Sequence, residues 1–240
     1  MIDFDLLYGH PLSQPCALWE RCDSHCCTMG RRFLRFDPQT PLVALPIPAP
    51  EYAYLRGLAP GGAQWPEAPR AIELELRGYS LRLYMQPCNF GGACEGALRP
   101  AICRLYPYVP LIDDDLRLGG LIHASALDLV WEPGADDDPC LMRRAEETRR
   151  YVELMRDLIG KLARAPENLE LLLWFNLAYR YLEAFRDYLG ENLAEGAAGE
   201  GSEEQTHILH LCNRTQLFLA DPEFRGRLDA EVERMQRWRS

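Results

Sequence analysis

The chain has 240 residues, and its content of 48% hydrophobic and 26% charged residues is ordinary for a globular protein with an apolar core. A formal net charge of −10 argues against a nucleic-acid partner, which needs a basic face, and against adsorption to an anionic membrane surface. The opening MIDFDLLYGH lacks a basic stretch before an apolar run, and nowhere are about 18 consecutive residues apolar. We therefore expect a cytoplasmic protein with reduced thiols and no membrane span.

The first half of the chain indicates short strands joined by irregular connections. Residues 38–69 hold many prolines, which predicts a long irregular connection with one short helix near Glu51 to Leu58. In AIELELRGYSLRLYM, which follows, apolar and polar residues alternate on both sides of a glycine. This alternation predicts a β-hairpin with its turn near Arg77 to Ser80, and the hairpin delivers the chain directly into Cys88.

A second short hairpin is expected around Leu111 to Ile122, with its turn at the acidic run Asp113 to Asp115. The apolar stretch Ala126 to Trp131 is expected to extend this hairpin. Both hairpins precede residue 140, so we expect the β structure to lie in that part of the chain.

The remainder of the chain favours helices. Apolar residues follow one helical face from Tyr151 to Leu162, and the stretch from Leu169 to Leu189 is apolar almost all round. A helix of the second kind belongs at the centre of a bundle. Residues 190–204 are rich in glycine, alanine and glutamate and predict a surface loop. A third helix is expected from Ile208 to Leu219, and a fourth begins after Asp221 with a proline at its first position.

These patterns predict an α+β fold with two regions. Residues 1–140 are expected to form a small, cysteine-rich β-hairpin region organised by a metal. Residues 141–240 are expected to form a helical bundle of about four helices. We expect the two regions to pack together as one compact unit.

The cysteines form two tight clusters, which read CALWERCDSHCC and CNFGGACEGALRPAICRLYP. Thiolates grouped at short spacing suit a soft metal or an iron–sulfur cluster, because each ligand must reach one small centre. A disulfide framework is the alternative, and it needs an oxidising compartment. Zinc and a cubane cluster each take four ligands, fewer than the seven clustered cysteines. Either two sites exist, or some of these cysteines are packing residues or exchangeable thiols. Cys212, in an apolar stripe, is expected in the core. The seven clustered cysteines are Cys16, Cys22, Cys26, Cys27, Cys88, Cys94 and Cys103.

A resemblance to a known family rests on the segment RPAICRLYP around Cys103, on the first cysteine cluster, and on the hairpin that leads into Cys88. Over about residues 14–140 the chain resembles the CxxCxxxxCC zinc/iron-chelating domain family. That family includes uncharacterised bacterial cysteine-cluster proteins and the flagellin lysine N-methylases. Cys140 takes the place of a further family cysteine just before a helix.

The resemblance implies a cysteine-bound metal centre, either an iron–sulfur cluster of the 4Fe–4S type or zinc. In the methylase branch it also implies methyl transfer from S-adenosylmethionine to lysines of a protein substrate. Among the candidate ligands, Cys26, Cys27, Cys88 and Cys103 lie in the best-matching segments. The full set of candidate ligands is Cys16, Cys22, Cys26, Cys27, Cys88, Cys94, Cys103 and Cys140.

The residues themselves leave the function open. No arrangement of a nucleophile and a general base stands out, so no catalytic or cofactor-binding residue is assigned. The alternative to an enzyme is a non-catalytic metal-binding or electron-transfer module. In that case the metal is structural and the helical half binds a partner. The sequence does not set the oligomeric state.

Two further groups of residues are candidates for a role near the centre. Arg99 and Arg104 can neutralise a thiolate-rich cluster, or they can be surface arginines. If the chain is catalytic, the metal region and the aromatic helix should border one cleft, because a methyl donor needs a partly dry pocket. There Trp174, Tyr179 and Tyr181 can stack on a ligand, or all three can be bundle core.

Overall fold

The computed structural model describes residues 2–13, 44–59, 70–87, 98–124, 143–196 and 221–240. Within these ranges the fold is α+β, as predicted, with six α-helices and two small antiparallel sheets. Helix α1 (Phe4–Gly9) begins at Asp3, whose carboxylate accepts a hydrogen bond from the backbone N–H of Leu6 at 2.9 Å. A single 3₁₀ turn, Pro11–Ser13, follows it.

The larger sheet has three strands in the order β1-β3-β2: β1 (Ala44–Pro48), β2 (Ala71–Leu76) and β3 (Tyr79–Pro87). The predicted hairpin of β2 and β3 is confirmed, with Leu76 paired to Tyr79. Its turn consists of Arg77 at φ 26° and Gly78 at φ 80°. A two-residue turn with both φ values positive matches the right-handed twist of the strands that it joins.

Strand β1 corrects the prediction of an irregular connection over residues 38–69. Leu45 and Ile47 face the sheet partner β3 in an antiparallel register, although prolines occupy positions 46 and 48. Proline is tolerated in an edge strand, because its missing N–H is not needed on the unpaired side. The strand runs directly into helix α2 (Ala49–Leu58), which confirms the predicted short helix.

The second sheet confirms the second predicted hairpin. Helix α3 (Ala101–Leu105) is followed by a turn with a cis peptide bond before Pro107, and then by strand β4 (Tyr108–Ile112). Strand β5 (Leu118–His123) pairs with β4 in antiparallel register. The first strand begins at Tyr108, before the predicted Leu111, because the pairing with β5 already starts there, with Tyr108 opposite His123. The expected extension at Ala126 to Trp131 lies outside the described residues.

Three long helices make up most of the C-terminal part: α4 (Ala145–Leu162), α5 (Leu169–Gly196) and α6 (Pro222–Arg239). Helix α5 is buried at every position from Leu171 to Leu177 and half-buried from Ala178 to Ala184, so the burial expected of a central helix is found in its first part. The predicted loop start at residue 190 is wrong, since α5 continues to Gly196 through glutamate, leucine and alanine, which favour helix. The expected third helix lies outside the described residues.

Helix α6 begins as predicted. Asp221 accepts hydrogen bonds from the backbone N–H groups of Glu223 at 2.7 Å and Phe224 at 3.3 Å, and Pro222 occupies the first helical position. Within the described ranges, no helix is long and apolar enough to cross a bilayer.

The main hydrophobic core draws side chains from both sides of residue 140. Helices α5 and α6 pack on each other, and α5 also packs on β4. A smaller cluster lies under α2 and contains Ile47, Tyr52, Leu55 and Leu98. The main core includes, among others, Leu7, Leu76, Leu81, Leu105, Ile112, Met155, Leu158, Leu172, Phe175, Leu228 and Val232.

Candidate metal centre and the adjoining cavity

Cys103 is the candidate ligand that the structure describes, and it is half-buried on the short helix α3. Within the described ranges, no three side chains of His, Cys, Asp or Glu come together in a metal-binding arrangement. The other candidates are bordered in the chain by described residues, and these show where each cysteine-bearing segment begins and ends. The candidate ligands outside the described residues are Cys16, Cys22, Cys26, Cys27, Cys88, Cys94 and Cys140.

The described ends of the two main cysteine segments lie at two places, one at α3 and one at the end of the three-stranded sheet. The turn Pro11–Ser13, which precedes residues 14–43, packs on α3. At the other end of that segment, Ala44 pairs with Pro87, the residue directly before Cys88. Leu98, which follows residues 88–97, is buried against α2 and leads into α3. Two of these chain ends, at Ser13 and at Leu98, thus lie at the short helix α3, and the other two pair with each other in the sheet.

The segment that contains Cys140 is attached in the same neighbourhood. Before it, the backbone N–H of Ala124 donates to the carbonyl oxygen of Pro107 at 2.8 Å, just after α3. After it, the hydroxyl of Tyr151 on α4 donates to the carbonyl oxygens of Leu105 and of Tyr108, the latter at 2.9 Å. Both described sides of this segment are therefore joined to the chain that leaves α3.

Two buried arginines flank Cys103. Arg99 is 8% exposed and Arg104 is 6% exposed, so the alternative that they are surface arginines is wrong. The Nε–H of Arg104 donates to the carbonyl oxygen of Arg99 at 2.7 Å, and its guanidinium carbon lies 4.1 Å from the ring centroid of Tyr8. Burial lowers the pKa of Arg104, but a guanidinium keeps its charge in proteins. The helix that carries Cys103 therefore holds buried positive charge.

Glu51 on α2 fixes the start of α3. This residue is 2% exposed, and its Oε1 accepts hydrogen bonds from the backbone N–H of Ala101 at 2.5 Å and from the hydroxyl of Tyr8 at 2.6 Å. The first N–H groups of a helix have no partner inside the helix, so the carboxylate satisfies a donor that would otherwise be buried without one. Burial raises the pKa of Glu51, and the hydrogen bonds from Tyr8 and Ala101 oppose that rise.

Sequence reasoning missed Glu51. Its main contact joins residues 50 positions apart in the chain, and a single glutamate in the first turn of a helix ordinarily indicates a solvated side chain. The one available signal is its place between Pro50 and Tyr52, in a segment with few other charges.

A cavity of about 180 Å³ lies beside α3, between the three-stranded sheet and the aromatic helix α5. Trp174 and Tyr181 line it, whereas Tyr179 is not among the lining residues and instead lies near Gly120 of β5. The helix of Cys103 and the aromatic helix thus border the same cavity. Its lining includes Ile72, Leu74, Leu81, Leu83, Met85, Ala101, Ile102, Leu105, Leu171, Trp174, Phe175, Ala178, Tyr181, Leu182, Phe224 and Leu228.

No family model, curated protein or solved structure matches the chain. The candidate site consists of one half-buried cysteine, two buried arginines, a buried glutamate that holds the helix, and the adjoining cavity.

Proposed function

We propose that the protein is a metalloprotein whose centre is held by cysteine thiolates beside α3, as an iron–sulfur cluster of the 4Fe–4S type or as zinc. The observation that carries this proposal is that the turn before the first cysteine segment packs on the helix of Cys103, and that residues on both sides of the Cys140 segment bond to the end of that helix or to the chain just after it. Cys26, Cys27, Cys88 and Cys103 are the first choices as ligands. The remaining candidates are Cys16, Cys22, Cys94 and Cys140.

Chain length supports a common centre. Cys88 directly follows Pro87, Cys16 follows Ser13 by three residues, and Cys140 precedes Arg143 by three residues. An extended chain spans at most about 3.6 Å per residue, so three residues reach about 11 Å. Tethers this short keep each of the three cysteines near a described chain end.

The charge balance also supports a thiolate centre. Zinc or an iron–sulfur cluster with four thiolate ligands carries net negative charge, which is costly to bury unless opposite charge accompanies it. The guanidinium groups of Arg99 and Arg104 supply such charge within the same segment as Cys103. A zinc centre would stabilise the fold, and an iron–sulfur centre could in addition carry electrons.

Metal and sulfide analysis after anaerobic purification tests the proposal. We expect Cys103→Ser to lose most of the metal and to lower stability, because folding and metal binding are coupled when loops supply the ligands. Cys212→Ser is the matched control and should keep the wild-type metal content. Full metal content in the Cys103→Ser variant would overturn the assignment of this residue. Absorption near 400 nm would identify iron–sulfur, and a colourless protein with bound zinc would identify the structural metal.

Methyl transfer from S-adenosylmethionine to a protein lysine is the second candidate function. The shared cavity between α3 and the aromatic helix supports it, and a chain of net charge −10 would attract a lysine-bearing partner. The methyl donor carries a charged amino-acid group and a ribose, which need polar anchors. Calorimetry on the metal-loaded protein decides: no binding at millimolar donor favours the non-catalytic metal-binding or electron-transfer module.

A further inference from the structure

The cavity between the sheet and α5 is partly open to solvent and is lined by apolar side chains. Concave sites lined mostly by hydrophobic and aromatic residues are the usual binding sites for small molecules. This cavity measures about 180 Å³ and lies between strand β3 and helix α5. Leu81, Leu83 and Met85 of strand β3 form one wall, and Leu171 and Phe175 of helix α5 lie in the other.

The polar groups in the lining are already engaged with the protein. The Nε1–H of Trp174 donates to the hydroxyl of Tyr79 at 2.8 Å, and Glu51 accepts hydrogen bonds from Tyr8 and from the backbone of Ala101. Among the described lining residues, the other side chains are hydrocarbons apart from the hydroxyl of Tyr181 and the thioether of Met85. A buried water molecule needs two to four polar partners, and an ion needs more, so this lining favours neither.

We propose that the cavity binds an uncharged, apolar small molecule, about the size of one aromatic ring with short alkyl substituents. The size follows from comparison with an engineered cavity of about 150 Å³, lined by similar residues, which stays dry and binds benzene. A cavity of 180 Å³ admits one or two methyl groups more. This inference stands on its own observations, because no cysteine is among the described residues that line the cavity.

Titration of the wild-type protein with p-xylene, followed by methyl NMR, tests the proposal. We expect saturable shifts confined to cavity methyl groups such as those of Leu83, Met85 and Leu171. A rise in the melting temperature should accompany them, because a ligand that binds the folded state stabilises it. Benzoate and benzylammonium have similar size but carry charge, and they should produce neither effect. Unsaturable shifts spread over the surface, or equal binding of the charged analogues, would overturn the proposal.

A pair of variants locates the site. Ala178 lines the cavity on α5, so Ala178→Leu should fill part of it and weaken p-xylene binding at least tenfold. Ala230→Leu introduces the same side chain at an exposed position of α6 and should bind as the wild type does. Unchanged binding by Ala178→Leu refutes the assignment. If that variant fails to fold, xenon NMR on the wild-type protein decides, since a dry cavity gives a saturable xenon shift and a filled one gives none.

Discussion

Replacement of Glu51 by alanine should be among the most destabilising single changes near the proposed centre. The substitution removes the acceptor of two donors, the buried backbone N–H of Ala101 and the half-buried hydroxyl of Tyr8. A buried donor left without a partner costs about 1–3 kcal/mol and a half-buried one less, so we expect a loss of about 1–4 kcal/mol in the free energy of unfolding. Because Ala101 begins the helix of Cys103, the metal content should fall as well.

Glu51→Gln is the matched control, because its amide oxygen can still accept both hydrogen bonds. Burial raises the pKa of Glu51, so the folded state holds the proton more tightly than the unfolded state does. The resulting stabilisation is complete below the unfolded pKa of about 4.3 and is lost as the pH rises through the folded pKa. Glutamine has no such loss, so the stability of Glu51→Gln relative to wild type should increase with pH.

Urea unfolding followed by circular dichroism, at about pH 5 and about pH 8, measures both effects. An alanine variant within about 0.5 kcal/mol of wild type would refute the reasoning, since that is the range of inert surface changes. A glutamine variant as unstable as the alanine variant would show that the charge of Glu51, and not its role as an acceptor, holds α3 in place.

Two further substitutions test other parts of the fold. Asn176, fully buried on α5, exchanges hydrogen bonds with the backbone N–H and carbonyl of Ile112 at 2.6 and 3.0 Å and donates to Glu231 at 2.8 Å. Asn176→Ala should cost about 3–5 kcal/mol in urea unfolding, and a cost below about 1 kcal/mol would contradict this network. Gly78→Ala should cost about 1–2 kcal/mol, because Gly78 has a φ of 80°, which other residues rarely adopt. The added Cβ meets no atom within 4 Å, so the cost comes from the backbone conformation alone. Gly160→Ala, in the last turn of α4 and equally unobstructed, should instead stabilise by up to about 1 kcal/mol, and the same sign for both variants would contradict the backbone explanation.

Local patterns in the sequence predicted the elements whose cause is local. The alternation around Gly78 gave the first hairpin, and the acidic run at Asp113 to Asp115 marked the turn of the second. The all-round apolar stretch after Leu169 identified the central helix, and Asp221 with Pro222 marked the start of the last one. In each of these cases, neighbours within a few positions decide the backbone conformation.

The features that escaped prediction depend on contacts between distant positions. Strand β1 exists because β3 pairs with it, and its own prolines argue against a strand. The sequence could not decide whether Arg99 and Arg104 are buried, because burial is set by Tyr8 and by the elements that cover them. The role of Glu51 at the start of α3 likewise requires the tertiary fold.

The prolines of β1 also limit what can attach to the sheet. A proline nitrogen carries no hydrogen, so the N–H groups that β1 gives to β3 between residues 45 and 48 must come from Leu45 and Ile47. Along that stretch, the outward side of β1 offers carbonyl oxygens from Pro46 and Pro48 and no donors. A second copy of the chain that added a strand there would lack half of the ladder hydrogen bonds, which disfavours the route by which exposed sheet edges aggregate.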